Sequence, residues 1–488
     1  MLMPVLVSTG LAAAMHPFMS RLGKTTGHVF SRKRPGISSS HPTMADAPGL
    51  THSRALKIAI PIILGNITVP ILGAVDTGVV GQLGEAAPIG AVGIGAIILG
   101  AIYWIFGFLR MGTAGLASQA LGAGDKDEVS STLSRALLIG LTGALLLVLF
   151  QGPIFTLSFM ISPASAEVEA LARSYMSIRI FSAPAAISIY ALTGWLIALE
   201  RTRAVLVLQI WINGVNILLD LAFVLGLGWG VEGVAIATFI AEWSGLAFAI
   251  WLCRDWLSVP TWRDPVKVFN RARLIHMASV NRDIMLRSVL LQIIFVSFLF
   301  FGADFGDTPL AANQILLQFL FITAFGMDGF ALAAESLVGQ ALGARNRAAV
   351  RRAAILCGEW GLGIGAFMAA IFWLAGPVII DLMTTAPDVR ATAKLYLPYM
   401  IAAPLIGAGA WMLDGIFIGA TRARDMRNMM ALSALIYGAS LWLLVPWLGN
   451  HGLWVSLLIS FAARGITLAI RYPALEAEAD QPREYIPS

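Results

Sequence analysis

The sequence predicts an all-α membrane protein, with twelve transmembrane helices in two parallel-repeat six-helix lobes. Three observations predict it. Mean hydropathy is +0.79 and only 12% of the 488 residues are charged, against roughly 25% in soluble domains. Basic and acidic residues alternate between successive loops. The chain also repeats itself, because SQALGAGDKDEV from Ser118 returns as GQALGARNRAAV from Gly339.

Twelve apolar segments follow one another near 55–80, 90–115, 129–152, 170–198, 204–227, 232–252, 272–302, 309–334, 350–375, 392–419, 428–447 and 452–471. Each is close to the ~20 residues that an α-helix needs to cross a bilayer. Loops after the even-numbered segments are basic: Lys126, then Arg201 and Arg203, Arg254 to Arg273, Arg345 to Arg352, and Arg422 to Arg427. Loops after the odd-numbered segments carry mostly acids, including Glu85, Glu167, Glu232, Asp304, Asp307 and Asp388. The positive-inside rule then places both termini in the cytoplasm of a multi-pass inner-membrane protein.

In the repeat, 221 residues separate Gln119 from Gln340, and the same offset carries Gly81 onto Gly302 and Pro88 onto Pro309. Two six-helix halves of equal orientation follow, with a binding cavity expected at or near their interface. The expected organisation is an N-terminal extension at 1–53, an N-lobe at 54–253, a cytoplasmic linker at 254–271, a C-lobe at 272–471 and a cytoplasmic tail at 472–488. The extension reads as disordered and non-functional, with Met44 as an alternative start or, less favoured, as a targeting arm: its basic residues follow an apolar run, the reverse of a signal peptide.

Ionisable residues inside spanning segments are expensive, roughly 2.5–3.5 kcal/mol at the centre of a bilayer, and so mark function. Asp76 lies in the first segment. Asn216 and Asp220 lie four apart, on one face of the fifth. At 1.5 Å per residue Asp76 stands roughly 28 Å, and Asp220 roughly 24 Å, above the cytoplasmic end. Thr238 in the descending sixth segment lies roughly 9 Å below the outer surface. These four can meet at one level of the N-lobe. Oxygen ligands suit a hard cation, and neighbouring carboxylates raise one another's proton affinity, so the group accepts Na⁺ or a shared proton. The repeat partner of Asp76 is Ser297, which confines the acid to the first half. Asp76 has a bland reading too, as an interfacial residue at the outer boundary.

Pro61 precedes Asp76 by fifteen residues and permits a helix bend. Asp414 and Glu335 are secondary acids. Asp414 is expected near the cytoplasmic edge beside Arg422 and Arg424, as a structural or gating ion pair. Asp283 and Arg287, four apart, are expected to pair with each other. Glu242 is expected to face the bundle interior. The Met and Trp residues read mainly as lipid-facing or packing groups. Cys253 and Cys357 match no metal spacing. Walker A, HExxH and GxSxG sequences are absent, so no enzyme chemistry is expected, no cofactor beyond the coupling ion, and no metal beyond Na⁺ at Asp76, Asn216, Asp220 and Thr238. The charge of +5 is accounted for by cytoplasmic loops and gives no reason to expect a nucleic-acid partner.

These residues, over roughly 54–471, resemble the MATE (multidrug and toxic compound extrusion) transporters, most of all the DinF-like branch. The resemblance is carried by QALGA after the second and eighth segments, by Pro61 with Asp76, Thr77 and the Gly81–Gly84 turn, and by Asn216-Ile-Leu-Leu-Asp220 with Thr238. It implies that these N-lobe positions bind the coupling H⁺ or Na⁺ and that Pro61 marks a bend. Two departures stand out. Asp414 resembles a C-lobe aspartate of sodium-coupled relatives, but Ala410 stands where they carry tyrosine, and the fourth segment offers only Tyr190 and Thr193 where archaeal relatives are more polar. The expected function is antiport of lipophilic, cationic compounds against H⁺ or Na⁺ by a monomer. The alternatives are a lipid-linked oligosaccharide flippase of the same superfamily and a non-transporting scaffold.

Overall fold

The computed structural model describes residues 49–82, 86–161 and 165–481. Residues 1–51 and 52–488 form two separate units. The extension expected at 1–53 lies almost wholly outside the described residues.

Among the described residues the second unit is entirely helical. Helix α1 is His52–Gly81. Helix α2 comprises Ala86–Ile105 continued by Phe108–Gly122, and α3 is Lys126–Leu149. After a short helix, Gln151–Ile161, come α4 (Ala166–Ala198), α5 (Thr202–Gly226), α6 (Gly230–Leu252), α7 (Arg271–Ala303), α8 (Asp307–Gly343), α9 (Arg347–Met383), α10 (Pro387–Gly419) and α11 (Ala423–Leu448). The last is α12, Asn450–Ala477. Eleven helical spans after α1 are long and apolar enough to cross a membrane. Helices α8 and α9, each of 37 residues, reach about 55 Å at 1.5 Å per residue. They overrun a hydrocarbon core of ~30 Å, which is why they pass the ends read from hydropathy. Helix α12 likewise continues past residue 471, because Glu476 bonds to Arg347 and Arg351 of α9 and holds the last turn down.

The repeat is visible in the helix ends. Gly124, Glu200, Arg345 and Thr421 all take positive φ, of 73°, 57°, 56° and 53°. They close α2, α4, α8 and α10 in matched pairs. After each, the next amide reaches back to close a six-residue turn: Asp125 N to Ala120 O, Arg201 N to Leu196 O, Asn346 N to Ala341 O and Arg422 N to Phe417 O, all within 2.8–3.0 Å. This left-handed cap satisfies carbonyls that a helix end otherwise leaves bare. Asp125 and Asn346 then cap α3 and α9 by accepting from Glu128 N and Ala349 N.

Helices α1–α6 enclose cores around Tyr175, Met176 and Ile187 and around Leu133, Trp195 and Leu196. The core of α7–α12 is built on Phe298, Phe319, Phe372, Trp454 and Phe461. Between α6 and α7 three short turns, Arg254–Leu257, Pro260–Arg263 and Pro265–Val268, lie on α3. Trp256 Nε1 donates to Ser130 O at 2.9 Å and Ser134 Oγ to Trp262 O at 2.8 Å.

The halves meet most closely at the end of the bundle that carries the basic loops. The two QALGA copies interlock there: a Cβ on Gly122 would stand 1.9 Å from Gln340 O, and one on Gly343 would stand 2.0 Å from Gln119 O. Only glycine permits so close a backbone approach. Gln119 Nε2 donates to Gly419 O at 3.0 Å, and Gln340 Nε2 donates to Ala198 O at 3.0 Å. Both donors and both acceptors are 221 residues apart, so the two bonds are images of each other.

Candidate functional site

Helix α5 is apolar on one side and polar on the other. Leu218 is 67% exposed and Ile210 and Trp211 are also exposed, whereas Asn213 is buried, Asn216 is 1% exposed and Asp220 is 0% exposed. With Gln209 these residues recur at spacings of four, three and four, which is one face of an α-helix. The stripe is bonded along its length. Gln209 Nε2 donates to Asn213 Oδ1 at 3.2 Å, and Asn213 Nδ2 donates to Thr68 Oγ1 of α1 at 2.8 Å. Thr68 in turn donates to Gly65 O at 2.7 Å. One turn on, Asn216 Nδ2 donates to Thr238 Oγ1 of α6 at 3.1 Å, and Thr238 donates to Val234 O at 3.0 Å. The stripe therefore joins three helices through amides and hydroxyls.

Asn216 Oδ1 is buried with no hydrogen-bond partner among the described residues. A buried acceptor left without a donor costs roughly 1–3 kcal/mol. Directly after Asp220 the helix widens into a π-turn, Leu221–Gly226. Such turns are rare and concentrate at functional sites. Oxygen-rich, buried and backed by a helix irregularity, this place can hold a small cation or a proton.

Asn216, Asp220 and Thr238 thus share one neighbourhood. The side chains of Asp76 and Thr77 lie outside the described residues, as do residues 83–85 of the turn after α1. The backbone at Asp76 belongs to α1, which packs along α5, its π-turn and α6. In the second half the equivalents of Asp76 and Asn216 are Ser297 and Tyr437, whose hydroxyls stand 3.5 Å apart. Pro61 is buried inside α1, which is assigned helix without a break through it. Two residues to either side of it, Ala59 O and Ile63 approach Gly329 of α8.

Of the remaining acids, Asp414 and Asp283 have partners other than those expected. Asp414 is buried and bonds Arg287 of α7, with Arg464 of α12 at 3.8 Å; Arg422 turns instead to Glu478 and Asp425. Asp283 does not pair with Arg287. It meets Arg427 at 2.7 Å and Arg282 at 3.2 Å, because successive turns of α7 face different neighbours. Glu242 is matched by Arg179 of α4 at 2.7 Å. Glu335 is 2% exposed and faces Arg110 of α2, in the other half, at 3.8 Å. Gln209, Asn213 and Thr68 escaped the sequence reading. The spacing of Gln209 and Asn213 ahead of Asn216 could have revealed the first two, while nothing local marks Thr68. A separate cleft lined by Glu167, Ser174, Trp229 and Glu232 contains none of the stripe residues.

The MatE family model matches residues 61–222 and 284–443. The chain is 39% identical over 416 residues to DNA damage-inducible protein F of Escherichia coli, covering 84% of this chain and 90% of that protein. Two solved structures share its fold. The Vibrio cholerae MATE transporter VcmN in the bent form has a TM-score of 0.78 at 21% identity, over 88% of this chain and 98% of that one. A multidrug resistance MATE family transporter in an outward-facing conformation has a TM-score of 0.77 at 18% identity, over 88% and 97%.

Proposed function

The chain belongs to the MatE family, and from that premise we propose that it is a secondary active antiporter. It exports lipophilic, cationic compounds in exchange for H⁺ or Na⁺ bound at Asp220, Asn216 and Thr238, with Asp76 completing the group. The basic end is cytoplasmic. One observation carries the reading: a fully buried carboxylate at the end of an amide and hydroxyl stripe that binds α5 to α1 and α6. A site built this way is neutralised by a cation, and its occupancy is felt by three helices at once. The second half supports the assignment by contrast, since Leu441 stands at the position equivalent to Asp220.

The interlocked QALGA copies hold the cytoplasmic side shut, leaving the coupling site to be loaded from outside. Binding there shifts α1, whose Ala59 and Ile63 meet Gly329 of α8, and so links occupancy to the cavity between the halves. The lipophilic, cationic substrate class is the one that membership of the family implies. The driving force is adequate: exchanging one H⁺ or Na⁺ for one monovalent cation moves no net charge, so a tenfold gradient of the coupling ion supplies about 1.4 kcal/mol and drives about tenfold accumulation. The test is dye efflux from proteoliposomes, with a pH gradient and a Na⁺ gradient imposed separately. Wild-type exchange by both Asp76→Asn and Asp220→Asn variants would sink the proposal.

A further inference from the structure

Glu335 and Arg110 form an ion pair that the coupling site does not use. They belong to opposite halves, and each is fixed within its own. A Cβ on Gly194 of α4 would lie 2.2 Å from Arg110 O, and one on Gly419 of α10 would lie 2.4 Å from Glu335 O. Helix α2 is therefore clamped to α4, and α8 to α10. The two side chains are left to reach across the gap between these bodies. They approach to 3.8 Å without hydrogen bonding. Glu335 Oε2 and Arg110 Nη1 are both buried, and neither has a hydrogen-bond partner among the described residues. Glu335 lies one helical turn before Gly339, whose Cβ would meet Ser118 Cβ at 2.6 Å, so the pair borders the QALGA seam.

We propose that Glu335 is a second protonation site, and that its ionised form, facing Arg110, latches the two halves together at the basic end. Attraction between unit charges at this separation is far stronger in a poorly solvated interior than in water. Protonation removes it and leaves Arg110 facing a neutral acid. The charges that act on Glu335 are those of Arg110 from α2, Asp328 from its own helix, Arg287 from α7 and Asp414 from α10, and Arg110 makes the close approach. Asp414 is occupied by Arg287 and Arg464. On α1, Arg54 is bonded to Glu200 of α4 and to Gln340, while Arg351 of α9 is bonded to Glu476. Arg110 is thus the cation available to Glu335 across the interface. The sign follows: the latch holds at high pH and loosens as pH falls.

The inference does not depend on the coupling role given to Asp220, and the test separates them. Spin labels are placed at the exposed basic-end positions Arg203 and Arg424 in the full chain in nanodiscs, with the buried Cys253 and Cys357 replaced by serine. Wild type is expected to show a short label distance at pH 8 that gives way to a longer one at pH 5. Glu335→Gln should show the longer distance at both values, and Glu232→Gln, at an exposed acid bonded to Ser174 and outside both sites, should keep the wild-type response. Should Glu335→Gln fail to insert, Arg110→Gln must likewise abolish the pH response. A wild-type pH response surviving in Glu335→Gln or in Arg110→Gln overturns the proposal.

Discussion

The two halves share a scaffold and divide their charges oppositely. In the first half α5 carries Asn216 and Asp220, and the equivalent places in the second half hold Tyr437 and Leu441. In the second half Arg287, Asp414 and Arg464 form a buried cluster, and the equivalent places in the first half hold Asn66, Thr193 and Trp243. Backbone features survive the duplication: the left-handed caps, the QALGA seam and the paired glutamine bonds are images of one another. The seam needs both copies, because each glycine makes room for the other half's glutamine carbonyl. Charges need only one. An acid between two guanidiniums serves as a tie within a half, whereas an acid ending a stripe of amides and hydroxyls suits exchange of a cation.

The largest expected effect breaks the comparison directly. Asp220→Asn should lose gradient-driven accumulation in proteoliposomes, a fall of about tenfold for a tenfold gradient of the coupling ion, while Tyr437→Phe at the equivalent place keeps it. Next comes the tie in the second half. Asp414→Ala leaves Arg287 and Arg464 buried without their acid, and should cost about 3–5 kcal/mol, read as a lowered melting temperature in detergent. Gly122→Ala and Gly343→Ala should each disfavour the shut basic end by about 1–3 kcal/mol of overpacking. The Arg203–Arg424 label distance should then lengthen equally for both, as the symmetry of the seam demands.

Smaller still is the effect of Asn213→Ala, which removes the bond that ties α5 to Thr68 of α1 and the bond accepted from Gln209. It should weaken apparent cation affinity by about 0.5–1.5 kcal/mol, up to about tenfold, and the cation dependence of efflux rate measures it. The smallest concerns ties outside the membrane. Arg201 bonds Asp255 just after α6, as its repeat partner Arg422 bonds Glu478 just after α12. The Asp255 carboxyl is held below its ordinary value by the Arg201 hydrogen bond and then by the Arg201 charge. A lowered value means the contribution is present above the unfolded carboxylate range and is lost as pH falls through the folded one. The pair is exposed, so Asp255→Asn should change stability by less than about 1 kcal/mol at neutral pH. Thermal melts at neutral and acid pH should show the difference only at neutral pH.

The sequence by itself determined the spanning helices, the duplication and the pairing of Asn216 with Asp220 on one helix face. These are legible because hydropathy, repeat register and the i, i+4 spacing are local properties of the chain. The same local logic failed for Asp283 and Arg287. They too are four apart, yet one turns to Arg427 and the other to Asp414, on helices more than a hundred residues away. Thr68 against Asn213, Arg179 against Glu242 and Arg110 against Glu335 were equally hidden. Each depends on which helix faces which, and that was decided only when close glycine contacts and packed cores set the helices together.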